Sequence, residues 1–188
     1  GTSGYVWHID PIDGTMNFVR GVPFFSVSIG IERDGGIVAG AVLDPLRREL
    51  FHAWSGGGAW VNERRVNIGP ARTLADAALS MQTGARGEYL LRPGFMTELH
   101  RRCQKTRKLG TIALELAYVA CGRMDLLIAG KGKPQAWWDI AGGWALVEAA
   151  GGVIVDLDRK PLRRESTHLV AGHGVVVDEF LAFFHETD

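Results

Sequence analysis

The chain has 188 residues, 46% hydrophobic and 22% charged, enough to bury a sizeable core in one domain spanning 1–188. Its 21 basic and 21 acidic side chains cancel, which argues against a surface built for nucleic acid. No run approaches the roughly 18 apolar residues of a membrane-spanning helix. The two cysteines, Cys103 and Cys121, lack metal-ligand spacing and suit a reducing, cytoplasmic compartment.

The first element is the apolar run Tyr5-Val6-Trp7-His8-Ile9, which predicts a buried strand with His8 satisfied and partly buried. Asp10-Pro11-Ile12-Asp13-Gly14-Thr15 follows at its end. Pro11 biases Asp10 towards an extended conformation, and a tight turn can bring Asp13 round to the same side. Two carboxylates with the Ile12 carbonyl between them suit a hard divalent cation. Gly14 allows close backbone approach, and the N–H groups after it can face an anion. Asp-Pro and Asp-Gly are also ordinary turn dipeptides, so these residues alone leave a plain turn open.

Phe24–Ile31, Ile37–Leu43 and Glu49–Trp54 then read as consecutive strands. Asp34-Gly35-Gly36 and Asp44-Pro45 punctuate them, the pattern of an antiparallel meander. Ser55-Gly56-Gly57-Gly58 lacks the Lys-Ser/Thr ending of a phosphate loop and reads as a hairpin turn. Ala78–Thr83 is a further strand, Pro93–Cys103 a helix, and the surroundings of Arg107–Leu109 a strand. Arg101, Arg102, Lys105, Arg107 and Lys108 form the densest basic cluster and fit a solvated helix end. A helix over Ile112–Cys121 and a strand over Leu126–Ile128 follow.

Trp137-Trp138-Asp139-Ile140-Ala141-Gly142-Gly143 is the second signal. Asp139 stands at the start of an apolar helix, Ile140–Ala150, that Gly151-Gly152 stops. A plain N-cap is one reading of Asp139. A metal ligand is the other. Gly142 and Gly143 cost about 1 kcal/mol each against Ala in a helix, which implies close packing of another backbone or room for a ligand. The aromatic group of Trp137, Trp138 and Trp144 reads as packing. Val153–Val155 and Val170–Ala171 are short strands, and Asp178–His185 is a terminal helix. Strands first and helix–strand alternation later predict an α/β layered fold. The six histidines are scattered without paired spacing.

Asp-Pro-Ile-Asp-Gly-Thr-Met-Asn-Phe and Trp-Asp-Ile-Ala-Gly-Gly resemble the two signatures of the inositol monophosphatase family. Gly21-Val22-Pro23-Phe24, the glycine hairpin running to Asn62, Lys108-Leu109-Gly110-Thr111 and Glu148-Ala149-Ala150-Gly151-Gly152 match in order, so the resemblance covers nearly the whole chain. It implies an α-β-α-β-α sandwich of the sugar-phosphatase type. It also implies Mg²⁺-dependent, lithium-sensitive hydrolysis of a small phosphate monoester, an inositol monophosphate or a related sugar or nucleotide phosphate. Mn²⁺ is a possible substitute, and the expected assembly is a cytoplasmic homodimer. The family's paired-glutamate motif lies upstream of the first signature, whereas this chain begins at Gly1-Thr2-Ser3-Gly4. The expectation is therefore an N-terminally truncated chain without the first helical layer.

Carried over residue by residue, the resemblance makes Asp10 a bridging metal ligand and gives the Ile12 carbonyl to one ion. Asp13 and Asp139 complete the other. The Gly14 and Thr15 amides would hold the phosphate, and the Thr15 hydroxyl, with the absent glutamate, would orient water. Asp10, Asp13, Thr15 and Asp139 are thus the expected catalytic set. Gly110 and Thr111 match positions facing the substrate's alcohol portion. Where inositol-specific members carry a glutamate this chain has Ala129, followed by Lys131 and Lys133. The lysines fit either a solvated basic hairpin or a substrate with a second anionic group, such as a sugar bisphosphate or nucleotide phosphate. The alternative of another class is a non-catalytic binding or regulatory module that keeps the fold.

Overall fold

The computed structural model describes residues 3–83, 94–130 and 134–186. Its first half is a meander of six antiparallel strands in sequence order: β1 (Tyr5–Asp13), β2 (Ser26–Arg33), β3 (Gly36–Asp44), β4 (Glu49–Trp54), β5 (Gly58–Val61) and β6 (Arg64–Val66). A short helix, α1 (Thr15–Val19), links β1 to β2. The glycine run after Trp54 makes the expected hairpin, with Trp54 paired to Gly58.

The second half is a five-stranded mixed sheet in the order β10-β11-β9-β7-β8, built from β7 (Ala78–Thr83), β8 (Lys105–Arg107), β9 (Leu126–Gly130), β10 (Val153–Val155) and β11 (His168–Gly172). β7 is parallel to both β8 and β9. Helices α2 (Phe95–Arg102), α3 (Ile112–Ala120), α4 (Trp137–Ala149) and α5 (Gly174–Glu186), with a 3₁₀ turn at Leu74–Asp76, complete the described elements.

Alternation along β9 shows how the layers form. Leu127 and Ala129 face a core shared with α3, α4 and the first sheet, including Val42, Phe51, Leu116 and Leu146. Leu126 and Ile128 point the other way, into a core with Phe95 and Leu99 of α2 and Val177 and Phe180 of α5. β9 is apolar throughout because both its faces are covered. The order is sheet, helix pair, sheet, helix pair: the expected sandwich over the described residues.

α4 lies on the first sheet through small residues. A Cβ at Gly30 would fall 2.3 Å from the Ala141 Cβ, and one at Gly40 would fall 2.3 Å from the Gly142 carbonyl oxygen. On the other side of α4, a Cβ at Gly143 would fall 2.4 Å from the Leu116 Cβ. Close packing thus accounts for the two helix glycines, as van der Waals contact needs about 3.5–4.0 Å between carbons.

Several sequence expectations require correction. β1 is not a buried strand: Trp7 is 59% exposed and Ile9 53%. It is the edge strand, paired to β2 alone, and apolar content by itself does not report which face is covered. α4 begins at Trp137 with Ala136 as N-cap, so Asp139 sits inside the first turn and is not the cap. Trp138 is 54% exposed, whereas Trp137 and Trp144 are buried with ring centroids 5.4 Å apart. The terminal helix also starts earlier, at Gly174, and the three-residue β6 was too short to show a period.

Candidate functional site

The first signature closes β1 with an irregular register. Asp10 lies opposite Ser28 and Asp13 opposite Ser26, so Pro11 and Ile12 are accommodated as a bulge. The Ile12 N–H donates to Asp10 Oδ1 at 3.0 Å. Gly14 follows with φ of 84°, a conformation that favours glycine, and turns the chain into α1. The Thr15 hydroxyl donates back to the Ile12 carbonyl at 2.9 Å. Asp10 and Ile12 are half-buried and Thr15 is exposed.

Asp13 is buried, at 6% exposure. Its Oδ2 accepts the Ala113 N–H at 2.9 Å and the Ser26 hydroxyl at 3.3 Å, and the Thr111 hydroxyl also donates to it. Burial pushes its carboxyl up to about 7, opposed by the Thr111 and Ala113 hydrogen bonds and assisted by the like charges of Asp10 and Asp139. That mutual repulsion places the three expected carboxylates in one neighbourhood, although Asp139 comes from α4, more than a hundred residues along the chain. Among the described residues, no three His, Cys, Asp or Glu side chains form a group able to hold a metal ion by themselves. The expected set includes a backbone carbonyl as well.

Asp139 lines a cavity of about 560 Å³ with His8, Gln135, Trp137, Trp138 and Arg164 among its walls. The Arg164 guanidinium lies 3.8 Å above the Trp137 ring and pairs with Glu32, which His8 Nε2 also meets at 2.7 Å. Against the cost of burial, His8 and Arg164 hold Glu32 below its ordinary range. His8 is thus satisfied, as the sequence predicts.

Gly110 is exposed at φ 90°, but Thr111 is fully buried. The Thr111 side chain caps α3, accepting the Leu114 N–H at 3.2 Å, and serves Asp13, so it is turned inward. Ala129 is likewise fully buried in the core and has no surface to offer a ligand. Lys131 and Lys133 lie outside the described residues. The basic cluster ending α2 is solvated: Arg101 is 73% exposed and leans on Glu98.

Sequence reasoning missed Asn17, Ser26 and Glu115. Asn17 Nδ2 donates to the Leu109 carbonyl at 2.7 Å and the Phe24 carbonyl at 2.8 Å, tying the segment before α3 to the first signature. An acid within the otherwise apolar run of α3 was the visible signal for Glu115.

The profile of the inositol monophosphatase family matches residues 1–186. An inositol-1-monophosphatase of Mesorhizobium japonicum is 38% identical over 179 residues, covering 93% of this chain and 65% of that protein. A protein named Nus factor SuhB from Pasteurella multocida is 41% identical over 177 residues, again covering 93% of this chain and 65% of its own length. The solved inositol monophosphatase of Anabaena superposes with a TM-score of 0.89 at 32% identity, over 98% of this chain and 74% of that one. The chain therefore spans about 65% of the length of these two curated relatives.

Proposed function

This chain belongs to the inositol monophosphatase family, and on that premise we propose that the protein hydrolyses a small phosphate monoester with the help of a divalent cation, Mg²⁺ or in its place Mn²⁺. The observation that carries this reading is that Asp139 of α4 comes near enough to the first signature for its charge, with that of Asp10, to act on the buried Asp13, whose carboxylate Ala113 and Ser26 hold in place. Hard carboxylate and carbonyl oxygens are the donor set such cations take. Asp10, the Ile12 carbonyl, Asp13 and Asp139 would hold the metal. When bound, it neutralises the phosphate dianion and lowers the pKa of water.

The chain's own residues do the rest. The Gly14 and Thr15 amides, at the start of α1, face the phosphate oxygens. Because the Thr15 hydroxyl gives its hydrogen to the Ile12 carbonyl, its lone pairs are left to accept from a water and aim that water's oxygen. The exposed Gly110 backbone meets the alcohol portion of the substrate. The substrate is read as an ester with a second anionic group, met by Lys131 and Lys133. The protein acts as a lithium-sensitive homodimer in the cytoplasm. No described helix is long and apolar enough to cross a membrane.

The relative named as a Nus factor supports a second reading, a binding module that keeps the fold without catalysis. Retention of Asp10, Asp13, Thr15 and Asp139 together favours the enzyme, since clustered carboxylates only repel one another when no cation is needed. The test is hydrolysis of a panel of phosphate esters by the full-length protein, with Mg²⁺ and with excess EDTA. Activity dependent on Mg²⁺ is expected. Full activity in EDTA overturns the metal role, and inactivity across the panel favours the module. An unchanged substrate ranking in Lys131→Ala/Lys133→Ala refutes the second anionic group.

A further inference from the structure

Glu115 is a carboxylate with no part in the chemistry above, and it is fully buried in the first turns of α3. Burying a charge is costly unless hydrogen bonds replace its water. The Ser80 hydroxyl and the Gln82 side-chain amide donate to it from β7. The Leu109 N–H donates at 3.1 Å, and the Thr111 N–H donates as well. A carboxylate offers about four acceptor sites, so these four donors use its capacity, and the two backbone N–H groups among them can only donate.

Two of those donors belong to the turn Leu109-Gly110-Thr111. Its other side is held by Asn17, which donates to the Leu109 carbonyl at 2.7 Å. A Cβ at Gly110 would stand 3.0 Å from Asn17 Nδ2, so the turn lies tight against that amide. The turn ends in Thr111, whose hydroxyl donates to Asp13, and Ala113 just beyond donates to Asp13 Oδ2 at 2.9 Å. A continuous line of hydrogen bonds therefore runs from Glu115 through the turn to Asp13.

We propose that Glu115 is a positioning residue of the site: as a carboxylate it pins the Leu109–Thr111 turn, and through Thr111 it sets the orientation in which Asp13 meets the cation. The inference rests on the phosphatase reading. Glutamine at this position has the same shape but turns an NH₂ group towards converging donors, so part of the set loses its acceptor. Ser80→Ala is the control: it withdraws one donor from the same carboxylate and leaves the turn's two N–H bonds in place.

The test compares the full-length wild type with Glu115→Gln and Ser80→Ala. In Glu115→Gln, the Mg²⁺ concentration for half-maximal activity should rise on the order of 10-fold, as removal of groups that orient a ligand does. Calorimetric Mn²⁺ affinity of the substrate-free protein should fall by a similar factor, while KM for p-nitrophenyl phosphate at saturating Mg²⁺ stays near wild type. Amide exchange at Leu109 and Thr111 should accelerate. Ser80→Ala should change none of these beyond about 2-fold, below the effect of a lost orienting group. A Glu115→Gln protein with a lowered Tm but wild-type Mg²⁺ requirement and Mn²⁺ affinity overturns the proposal. If that variant does not fold, Glu115→Asp, which keeps the charge but is too short to reach the turn, should show the same loss, and its wild-type metal affinity would overturn the proposal equally. A wild type that binds Mn²⁺ but hydrolyses nothing would defeat the phosphatase reading, with Mn²⁺ affinity still reporting on Glu115.

Discussion

Gly30→Ala tests whether the seat of α4 on the first sheet governs both stability and the site. The new Cβ would fall 2.3 Å from the Ala141 Cβ and 2.7 Å from the Ala141 carbonyl carbon, so backbone must move. Relief to an ordinary carbon contact requires α4 to retreat on the order of 1 Å. Overpacking of this kind costs about 1–3 kcal/mol. For a chain of this size each kcal/mol lowers Tm by about 2–4 °C, so a fall of roughly 5 °C is expected. Asp139 stands in the turn before Ala141, so the retreat carries its carboxylate with it. Misplacing a functional group by about 1 Å can cost 10²-fold in rate. Thermal unfolding by circular dichroism and kcat/KM at saturating Mg²⁺ measure the two effects. Gly36→Ala is the matched control, since its Cβ would meet nothing nearer than the Arg33 carbonyl oxygen at 3.8 Å. A Gly30→Ala protein with wild-type Tm and wild-type kcat/KM would refute the reasoning.

Asp10→Asn and Asp139→Asn should each abolish Mg²⁺-dependent turnover while leaving the circular dichroism spectrum intact, because neutralising a hard-oxygen ligand weakens a site of few donors; residual turnover above a tenth of wild type would remove that residue from the ligand set. Glu49 is gripped by both terminal nitrogens of Arg123 at 2.5 and 2.6 Å, which holds its carboxyl below the usual range. Glu49→Gln should cost about 1 kcal/mol near neutral pH. A lowered folded pKa stabilises fully above the unfolded value of about 4.3 and ceases to do so as pH falls through the folded one. Urea titrations at neutral and strongly acidic pH check this, and a gap undiminished in acid contradicts the pairing. The homodimer predicts a doubled mass in light scattering at micromolar protein; a single monomeric mass refutes it.

The sequence by itself determined the features written in short-range chemistry. Turn residues such as Asp34-Gly35-Gly36 mark the meander, and alternation or apolar runs mark β2, β3, β4, β7 and α3 within a residue or two of their observed ends. The two aspartate signatures are contiguous strings and were legible as such. Contacts between distant segments decided the rest. Asp13 is buried because Thr111 and Ala113, about a hundred residues away, close over it. In β1, His8 is buried against Trp137 of α4 while Trp7 and Ile9 alternate to the opposite, exposed face, although the strand's composition is that of a core strand. Gly142 and Gly143 look unfavourable within their helix, and their reason, the approach of Ser28 and Leu116, lies in other elements. Glu115 reads as a misplaced acid in an apolar helix until Ser80, Gln82 and the Leu109–Thr111 turn converge on it. Periodicity and turn chemistry are local properties of a chain. Burial, charge coupling and the satisfaction of a buried acid belong to the tertiary structure, because their partners are chosen only when the sheets and helices close.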